Sequence, residues 1–456
     1  PILSNVFDTR ANLMKALGQD QEVKAHGVSA TVEYTLNNEW TVKSITASRK
    51  DKSYAPIDFD SLAVVDMEVP ALYTNKQFSQ EFQLSYTSER LQGIAGVYYM
   101  DANAYNKFDT ILAGAFPSST FTSGDIDTKA WAAYFDGSYN VNDALSVSLG
   151  GRYTVDERTA SIYRQIFLGL GGSPEMGNPG AILFRTDTDY RNGTLQRKDK
   201  KFTPRVAVNY KLSSDHNAYA SYSEGFKGGG FDPRLNMVGT RLTDAQARAG
   251  YEPETIKTYE LGLKSAFDGG RITTNAAVFY SDYKDVQIPG SVAIDTNGDG
   301  RDDSFAGVTT NAGKAKIKGL ELEAIANLTR DFMIAGMYSY IDAKYNEWMV
   351  ANGAALVNIA GSTEFQNTPR NSANIAVNYE WPMTVMGRSG SFSLSNSVSY
   401  KSKVYQTEIA RATGVASLDA TIPGNLALAQ DGFALWDAGL VWTSADRKIQ
   451  VGLHGR

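Results

Sequence analysis

Apolar and polar residues alternate along most of this chain, in runs that come in pairs. From Ala144 to Thr154, Leu145, Val147, Leu149, Gly151 and Tyr153 interleave with Ser146, Ser148, Gly150, Arg152 and Thr154. Side chains of a strand point to alternate faces, so this run has one apolar face and one polar face. Phe202 to Leu212 repeats the pattern, setting Val206, Val208, Tyr210 and Leu212 against Arg205, Asn209 and Lys211. From Phe392 to Tyr400 the serines at 393, 395, 397 and 399 fill one whole face. A soluble β-sandwich alternates too, so the connections carry the decision.

Pairing the runs places short turns at Leu36–Glu39, Thr87–Arg90, Asn140–Asp143, Ser213–His216, Asp268–Gly270, Thr329–Asp331 and Ser444–Arg447, with a longer link at Trp381–Gly390. Between these hairpins the reading leaves long loops near 50–75, 102–125, 155–200, 224–254, 284–316, 344–367 and 402–431. Long loops that all fall on one side of a sheet are unusual in soluble domains. They are the habit of outer-membrane barrels, which have short periplasmic turns and long extracellular loops. The expected fold class is therefore all-β, a transmembrane antiparallel β-barrel in the outer membrane of a Gram-negative bacterium.

Composition changes this picture little. The 456 residues include no cysteine, 25 tyrosines and 20 phenylalanines, and the formal net charge is −6. No apolar run approaches the roughly 20 residues of a membrane helix, so a spanning structure has to be a closed sheet. A mean hydropathy of −0.31 is what polar loops and a polar lumen average to, and it decides nothing. Mild acidity argues against a nucleic-acid surface, and three histidines leave little for a histidine-based metal or catalytic site. No serine–histidine–acid set, paired-carboxylate cleft or zinc spacing is present, so an enzyme is not expected.

About sixteen strands fit between His26 and Arg456, within the range that barrels adopt. Residues 1–25 read as a loop or turn leading into the barrel, and 26–456 as a partial barrel. The chain opens at Pro1 without a targeting segment and stops inside an alternating run at Ile449–His454, so both ends are expected to be cut.

One set of strings resembles a known family. Lys201-Phe-Thr-Pro-Arg-Val-Ala-Val-Asn-Tyr210 is followed by Tyr219-Ala-Ser-Tyr-Ser-Glu-Gly-Phe-Lys-Gly-Gly-Gly-Phe231, then by Pro253-Glu-Thr255 with Tyr259-Glu-Leu-Gly-Leu-Lys264. Ala277-Val-Phe-Tyr-Ser-Asp-Tyr-Lys-Asp285, Gly319-Leu-Glu-Leu-Glu323 and Thr368-Pro-Arg-Asn371 come after, in order. In order and spacing these resemble the barrel of TonB-dependent outer-membrane receptors. The resemblance implies a barrel of twenty-two strands around an N-terminal plug, a class whose lumen is plugged. It also implies opening by TonB and its inner-membrane energising complex, through an N-terminal segment. By register with the family, roughly four strands would precede Pro1 and two would follow Arg456, and the plug domain, TonB-binding segment and closing strands are missing from this sequence.

The resemblance further implies that Glu260 and Glu321, in the motifs Tyr-Glu-Leu-Gly and Gly-Leu-Glu-Leu-Glu, face the lumen and pair with plug arginines. A carboxylate facing lipid would be costly, whereas a luminal one can pair with an arginine. The bland alternative makes them solvated lumen charges, like Glu323, Arg152 and Arg205. Asp295, Asn297, Asp299 and Asp303 alternate around Gly298 and Gly300, like the first half of an EF-hand calcium loop. Ala306 stands where the bidentate glutamate belongs, so the segment reads either as a calcium loop completed by Asp303 or as an acidic turn. Gly228-Gly229-Gly230 lacks the lysine and helix of a phosphate loop and reads as a turn. Tyr98, Tyr99, Tyr222, Phe279, Tyr280, Tyr283 and Trp442 are either a ligand-stacking wall or members of the interfacial girdles.

The leading functional expectation is active import of a scarce nutrient complex, most often a ferric siderophore in this family. The partners would be TonB, a small-molecule or metal-chelate ligand and outer-membrane lipid. Cobalamin, glycan or another small ligand, a passive porin-like channel, and a structural or adhesive surface barrel are the alternatives.

Overall fold

The structure, a computed structural model, describes residues 17–18, 20–59, 64–113, 117–237, 243–294, 304–311, 313–352 and 355–456. In chain order its strands are β1 (Glu22–Thr35), β2 (Trp40–Asp58), β3 (Met67–Thr87), β4 (Leu91–Leu112), β5 (Ser118–Asn140), β6 (Leu145–Leu168) and β7 (Ile182–Lys211). Then come β8 (His216–Lys227), β9 (Glu254–Phe267), β10 (Ile272–Lys284), β11 (Gln287–Ile294), β12 (Ser304–Asn311), β13 (Lys314–Asn327) and β14 (Phe332–Glu347). The last six are β15 (Met349–Asn352), β16 (Ala355–Asn358), β17 (Asn371–Val385), β18 (Arg388–Lys401), β19 (Phe433–Ser444) and β20 (Gln450–Gly455). Sixteen of them form one antiparallel sheet in which every strand pairs with its neighbours in sequence, while β11 with β12 and β15 with β16 make separate hairpins in the loops. β1 opens at Glu22, four residues ahead of the barrel boundary read at residue 26.

Register makes the two faces continuous. Trp131, Phe135 and Tyr139 of β5 sit opposite Val155, Gly151 and Val147 of β6, and Leu149 and Val147 sit opposite Val206 and Val208 of β7. The row through Val206 continues as Tyr222, Tyr259 and Tyr280, and the next as Ala220, Leu261, Val278, Leu320 and Tyr340. Leu261 is 58% exposed and Leu322 41%. An apolar surface this wide is stable only against hydrocarbon, so it faces lipid, and the polar face lines the lumen.

The seven short turns fall where the alternation put them. The link at 381–390 does not: β17 runs to Val385 and β18 starts at Arg388, leaving a two-residue turn, Met386-Gly387. Its φ values of +49° and +77° are those of a tight hairpin turn. Pro382 lies within β17, opposite Ser391. Pairing of β17 with β14 ends at Tyr379, with Glu380 N–H donating to Asp331 O at 2.8 Å. Two residues on, the proline nitrogen points beyond that edge, where no donor is required.

The larger correction concerns the loops at 50–75, 102–125 and 155–200, which are mostly strand. β3 to β6 are 21 to 24 residues long and β7 is 30, against the roughly 9–11 residues that cross a bilayer. Beyond the membrane both faces of a strand meet water, so the apolar–polar contrast that reveals a strand in sequence fades. Residues 228–237 and 243–250, the latter with helix α1 (Asp244–Ala249), fold onto this extension: Phe231, Leu235 and Ala247 bury against Ala160, Ile162, Tyr190 and Leu195. A second buried group joins the loops after β10, β14 and β18 through Val286, Ile288, Trp348, Ile359 and Val415.

Candidate functional site

The luminal wall of β8, β9, β10 and β13 carries the two glutamates singled out above. One row reads Ser221, Glu260, Phe279, Gly319, and the next toward the short turns reads Tyr219, Gly262, Ala277, Glu321. The carboxylates therefore share the polar face, with β10 between them, one row apart. Tyr219 crosses Gly262 and its Oη donates to Glu260 Oε1 at 2.6 Å. The glycine is required: a Cβ at 262 would stand 2.3 Å from Tyr219 Cε1. Phe279 lies over Gly319 in the same way, where a Cβ would meet its Cζ and the Tyr340 carbonyl oxygen, each at 2.5 Å. Rings laid flat across glycines leave Glu321 exposed to the lumen. Glu323 continues the column on β13 and accepts from Asn275 Nδ2 at 3.1 Å.

The same device recurs on β3 to β6, where sequence reading placed no site. Tyr134 crosses Gly96 and donates to Glu81 Oε1 at 2.5 Å, and Gln83 Nε2 donates to the same oxygen at 3.1 Å. The Arg152 guanidinium stands 5.6 Å from the ring centres of both Tyr98 and Tyr134, and Arg205 pairs with Asp136 at 3.0 Å. The common signal is a glycine directly across from a luminal tyrosine, Gly262 from Tyr219 and Gly96 from Tyr134. It becomes visible only once the register is known.

At the mouth, Arg197 pairs with Asp199 at 2.9 Å and with Glu252 at 2.5 Å, and Gly229 N–H donates to Asp199 at 2.8 Å. A Cβ at Gly229 would lie 2.3 Å from Arg197 Nε, so the triple glycine serves close packing, and no helix begins there. Asp232 holds Arg234 at 2.7 Å and accepts from Thr309 at 2.9 Å, stapling residues 228–237 to β12. Burial pushes the Asp232 pKa up, but the Arg234 hydrogen bonds and charge outweigh it and hold the carboxyl below its ordinary value.

Of the seven aromatics, Tyr99, Tyr222, Tyr280 and Trp442 share the lipid face, while Tyr98, Phe279 and Tyr283 alternate onto the luminal one. Tyr283 Oη donates to Glu254 at 2.7 Å. The set therefore divides between the two alternatives, four rings on the lipid face and three on the luminal one. Asp295, Asn297, Asp299 and Asp303 lie outside the described residues; β11 and β12 flank them through the pair Ile294 and Ser304. Among the described residues no group of three or more histidine, aspartate or glutamate side chains is placed to hold a metal ion. What the luminal wall offers is fixed, water-facing carboxylates able to take cationic groups.

Comparison with known proteins bears on what such a wall belongs to. Over 192 residues the chain is 27% identical to the metal-pseudopaline receptor of Pseudomonas aeruginosa, the match taking in 42% of this chain and 23% of that receptor. Over 152 residues it is 30% identical to the ferrichrome outer membrane transporter and phage receptor of Escherichia coli, covering 33% of this chain and 17% of the other. The fold is similar to that of the ferric yersiniabactin uptake receptor of Yersinia pestis, with a TM-score of 0.66 and 18% identity over 96% of this chain and 56% of that one. The chain thus spans a little over half of that receptor's length. Residues 4–454 match the family model for the β-barrel of TonB dependent receptor-like proteins. The chain therefore belongs to the TonB-dependent receptors of the Gram-negative outer membrane, a family of transporters and receptors, and residues 4–454 correspond to their barrel domain.

Proposed function

We propose that this barrel serves energised uptake of a metal–chelate ligand, a ferric siderophore before other small ligands, with TonB and its inner-membrane complex as the energy source. The observation that carries the reading is the luminal wall at Glu260 and Glu321. Tyr219 holds one carboxylate while the other stays open to the lumen, as a removable basic plug requires. A passive pore needs no glycine-seated tyrosine to aim a carboxylate. The relatives, a metal-pseudopaline receptor and a ferrichrome transporter, favour metal chelates over cobalamin or glycans.

The test is uptake of labelled ferric siderophores by a deletion strain grown under iron limitation, with and without a functional TonB. Loss of uptake of at least one chelate, restored by the gene only when TonB is present, is the expected outcome. Unchanged uptake of every chelate would overturn the reading. Restored uptake that ignores TonB would point to a passive channel.

A further inference from the structure

The luminal wall changes character around the sheet. From β3 to β13 it carries Glu81, Asp136, Arg152, Arg205, Glu260 and Glu321, and Tyr98, Tyr134, Tyr219 and Phe279 lie inward across the same stretch. On β14, β17 and β18 it does not. Register continues the luminal face from Glu321 through Ser339 to Ser372, and from Glu323 through Met337 to Asn374. In rows running from the mouth toward the short turns, Asn374 then faces Ser399, Ala376 faces Ser397 and Asn378 faces Ser395. On β14 the same rows hold Met337, Ala335 and Met333. None of these side chains carries a charge. The rings of β17 and β18, at Tyr379, Trp381, Phe392 and Tyr400, all fall on the lipid face.

Charges frame this patch without entering it. Lys401, opposite Ser372, stands at the mouth. Near the short turn Glu380 accepts from Ser391 Oγ at 2.7 Å. Asp437 of β19, opposite Ser397, is paired with Arg456 at 3.2 Å, and Glu321 and Glu323 close the other side on β13. From the spacing of same-face residues and of neighbouring strands, the patch is about 14 Å tall and about 10 Å wide.

Its chemistry is that of a surface that hydrates and lets go. Asn374 Nδ2 donates to Ser399 Oγ at 2.7 Å, while Asn378 and Ser395 are exposed to the lumen. Hydroxyl and amide groups exchange water for a solute at a net gain of only about 0.5–1.5 kcal/mol per hydrogen bond. A conducting surface needs that weakness, because cargo that enters must also leave. Carboxylates and guanidinium groups make stronger bonds and belong where something is to be held. The short side chains also leave room that the tyrosines fill on the other wall.

We propose that the β14–β17–β18 patch is the passage wall, the side of the lumen along which the ligand crosses, and that this ligand is a polar chelate rich in hydroxyl and amide groups. The inference rests on the reading of a plugged, energised importer. Glu260 and Glu321 hold the plug on the charged side, and the plug parts first from the uncharged side, where the fewest strong bonds oppose it.

The test uses the full-length receptor in cells with and without functional TonB, and a ferric siderophore that the parent receptor imports. The 456 residues contain no cysteine, so the parent receptor supplies the blank. Membrane-impermeant fluorescein maleimide added outside should label the Ser397→Cys variant at least about fivefold faster when the siderophore and TonB are both present, and the Ser79→Cys variant, on the luminal face of β3, at one rate throughout. The S395W/S397W variant should import at least about tenfold more slowly while its surface binding of the siderophore stays within about twofold, and S79W should change neither. A tryptophan pair that also abolishes surface binding reports a damaged barrel, and the nearly isosteric cysteine then decides. Labelling at 397 that ignores siderophore and TonB, or import by S395W/S397W at the parent's rate, would overturn the passage wall and leave energised uptake standing. A parent receptor that imports no chelate would instead overturn the reading beneath it.

Discussion

Replacing Gly262 by alanine should uncouple Glu260 from its tyrosine, and the size of the effect can be worked out. The new Cβ would stand 2.3 Å from Tyr219 Cε1 and 2.5 Å from its Oη, while ordinary contacts begin near 3.4 Å. The ring must retreat by about 1 Å, the difference between those two distances, and the 2.6 Å bond to Glu260 cannot survive the move. A hydrogen bond to a charged group contributes about 1.5–3 kcal/mol, and half-buried Glu260 recovers water, so about 1.5 kcal/mol is expected. The better strand propensity of alanine returns roughly 0.5–1 kcal/mol, while lost ring contact costs a similar amount. Tyr219→Phe should cost about the same 1.5 kcal/mol through the bond alone. In the double variant the bond is lost only once. The two costs should then fall short of additivity by about 1.5 kcal/mol. Urea unfolding of the receptor in lipid vesicles, followed by tryptophan fluorescence, measures all four corners of the cycle. Costs that add to within about 0.5 kcal/mol would refute the reasoning.

Gly319→Ala should destabilise more than Gly262→Ala, because one of its 2.5 Å contacts is the Tyr340 carbonyl oxygen, which cannot rotate away; the same unfolding assay ranks them. Leu322→Arg, on the lipid face, should cost about 2–4 kcal/mol, whereas Glu321→Arg, one residue away and luminal, should cost little; equal losses would mean the faces are misassigned. The staple at Asp232 should weaken in acid. Its folded pKa lies below the unfolded value of 3.8, so its contribution is complete above that value and lost as pH falls through the folded one. Amide exchange in residues 228–237 should accelerate only below about pH 4, and Asp232→Asn should abolish that dependence. Gly387→Val, at a φ of +77°, should cost about 1–2 kcal/mol through strain in the hairpin turn.

How much could be read in advance depended on where a strand meets lipid. Leu145–Tyr153 and Phe392–Tyr400 announced themselves because one face is greasy and the other wet, and seven of the eight short turns followed from that contrast. Asp101 to Leu112 did not, because beyond the bilayer both faces are polar and alternation has nothing to mark. The strand around Pro382 was hidden for a related reason: proline forbids a donor, but whether one is needed depends on where β14 stops pairing, which sequence does not display. Glu260 and Glu321 were found by motif. Their setting was not, since Tyr219 is 41 residues from Glu260, and Tyr134 is 53 from Glu81. Hydrogen bonds across strands are facts of register.

Register is also what ties the luminal site to the membrane surface. β8, β9, β10, β13 and β14 pair in a frame that puts Glu260 and Glu321 inward, while Tyr259, Leu261, Leu320 and Leu322 face out. Slipping β9 by a single residue would send Glu260 to lipid and Leu261 to the lumen, exchanging both faces at once. The glycines guard against that slip. Gly262 and Gly319 admit Tyr219 and Phe279 in one frame only, because in the shifted frame the rings would meet Leu261 or Leu263 and Leu320 or Lys318 instead. The aromatic–glycine pairs therefore act twice. They aim a carboxylate into the lumen, and they hold the frame in which the opposite face stays apolar enough to remain in the membrane.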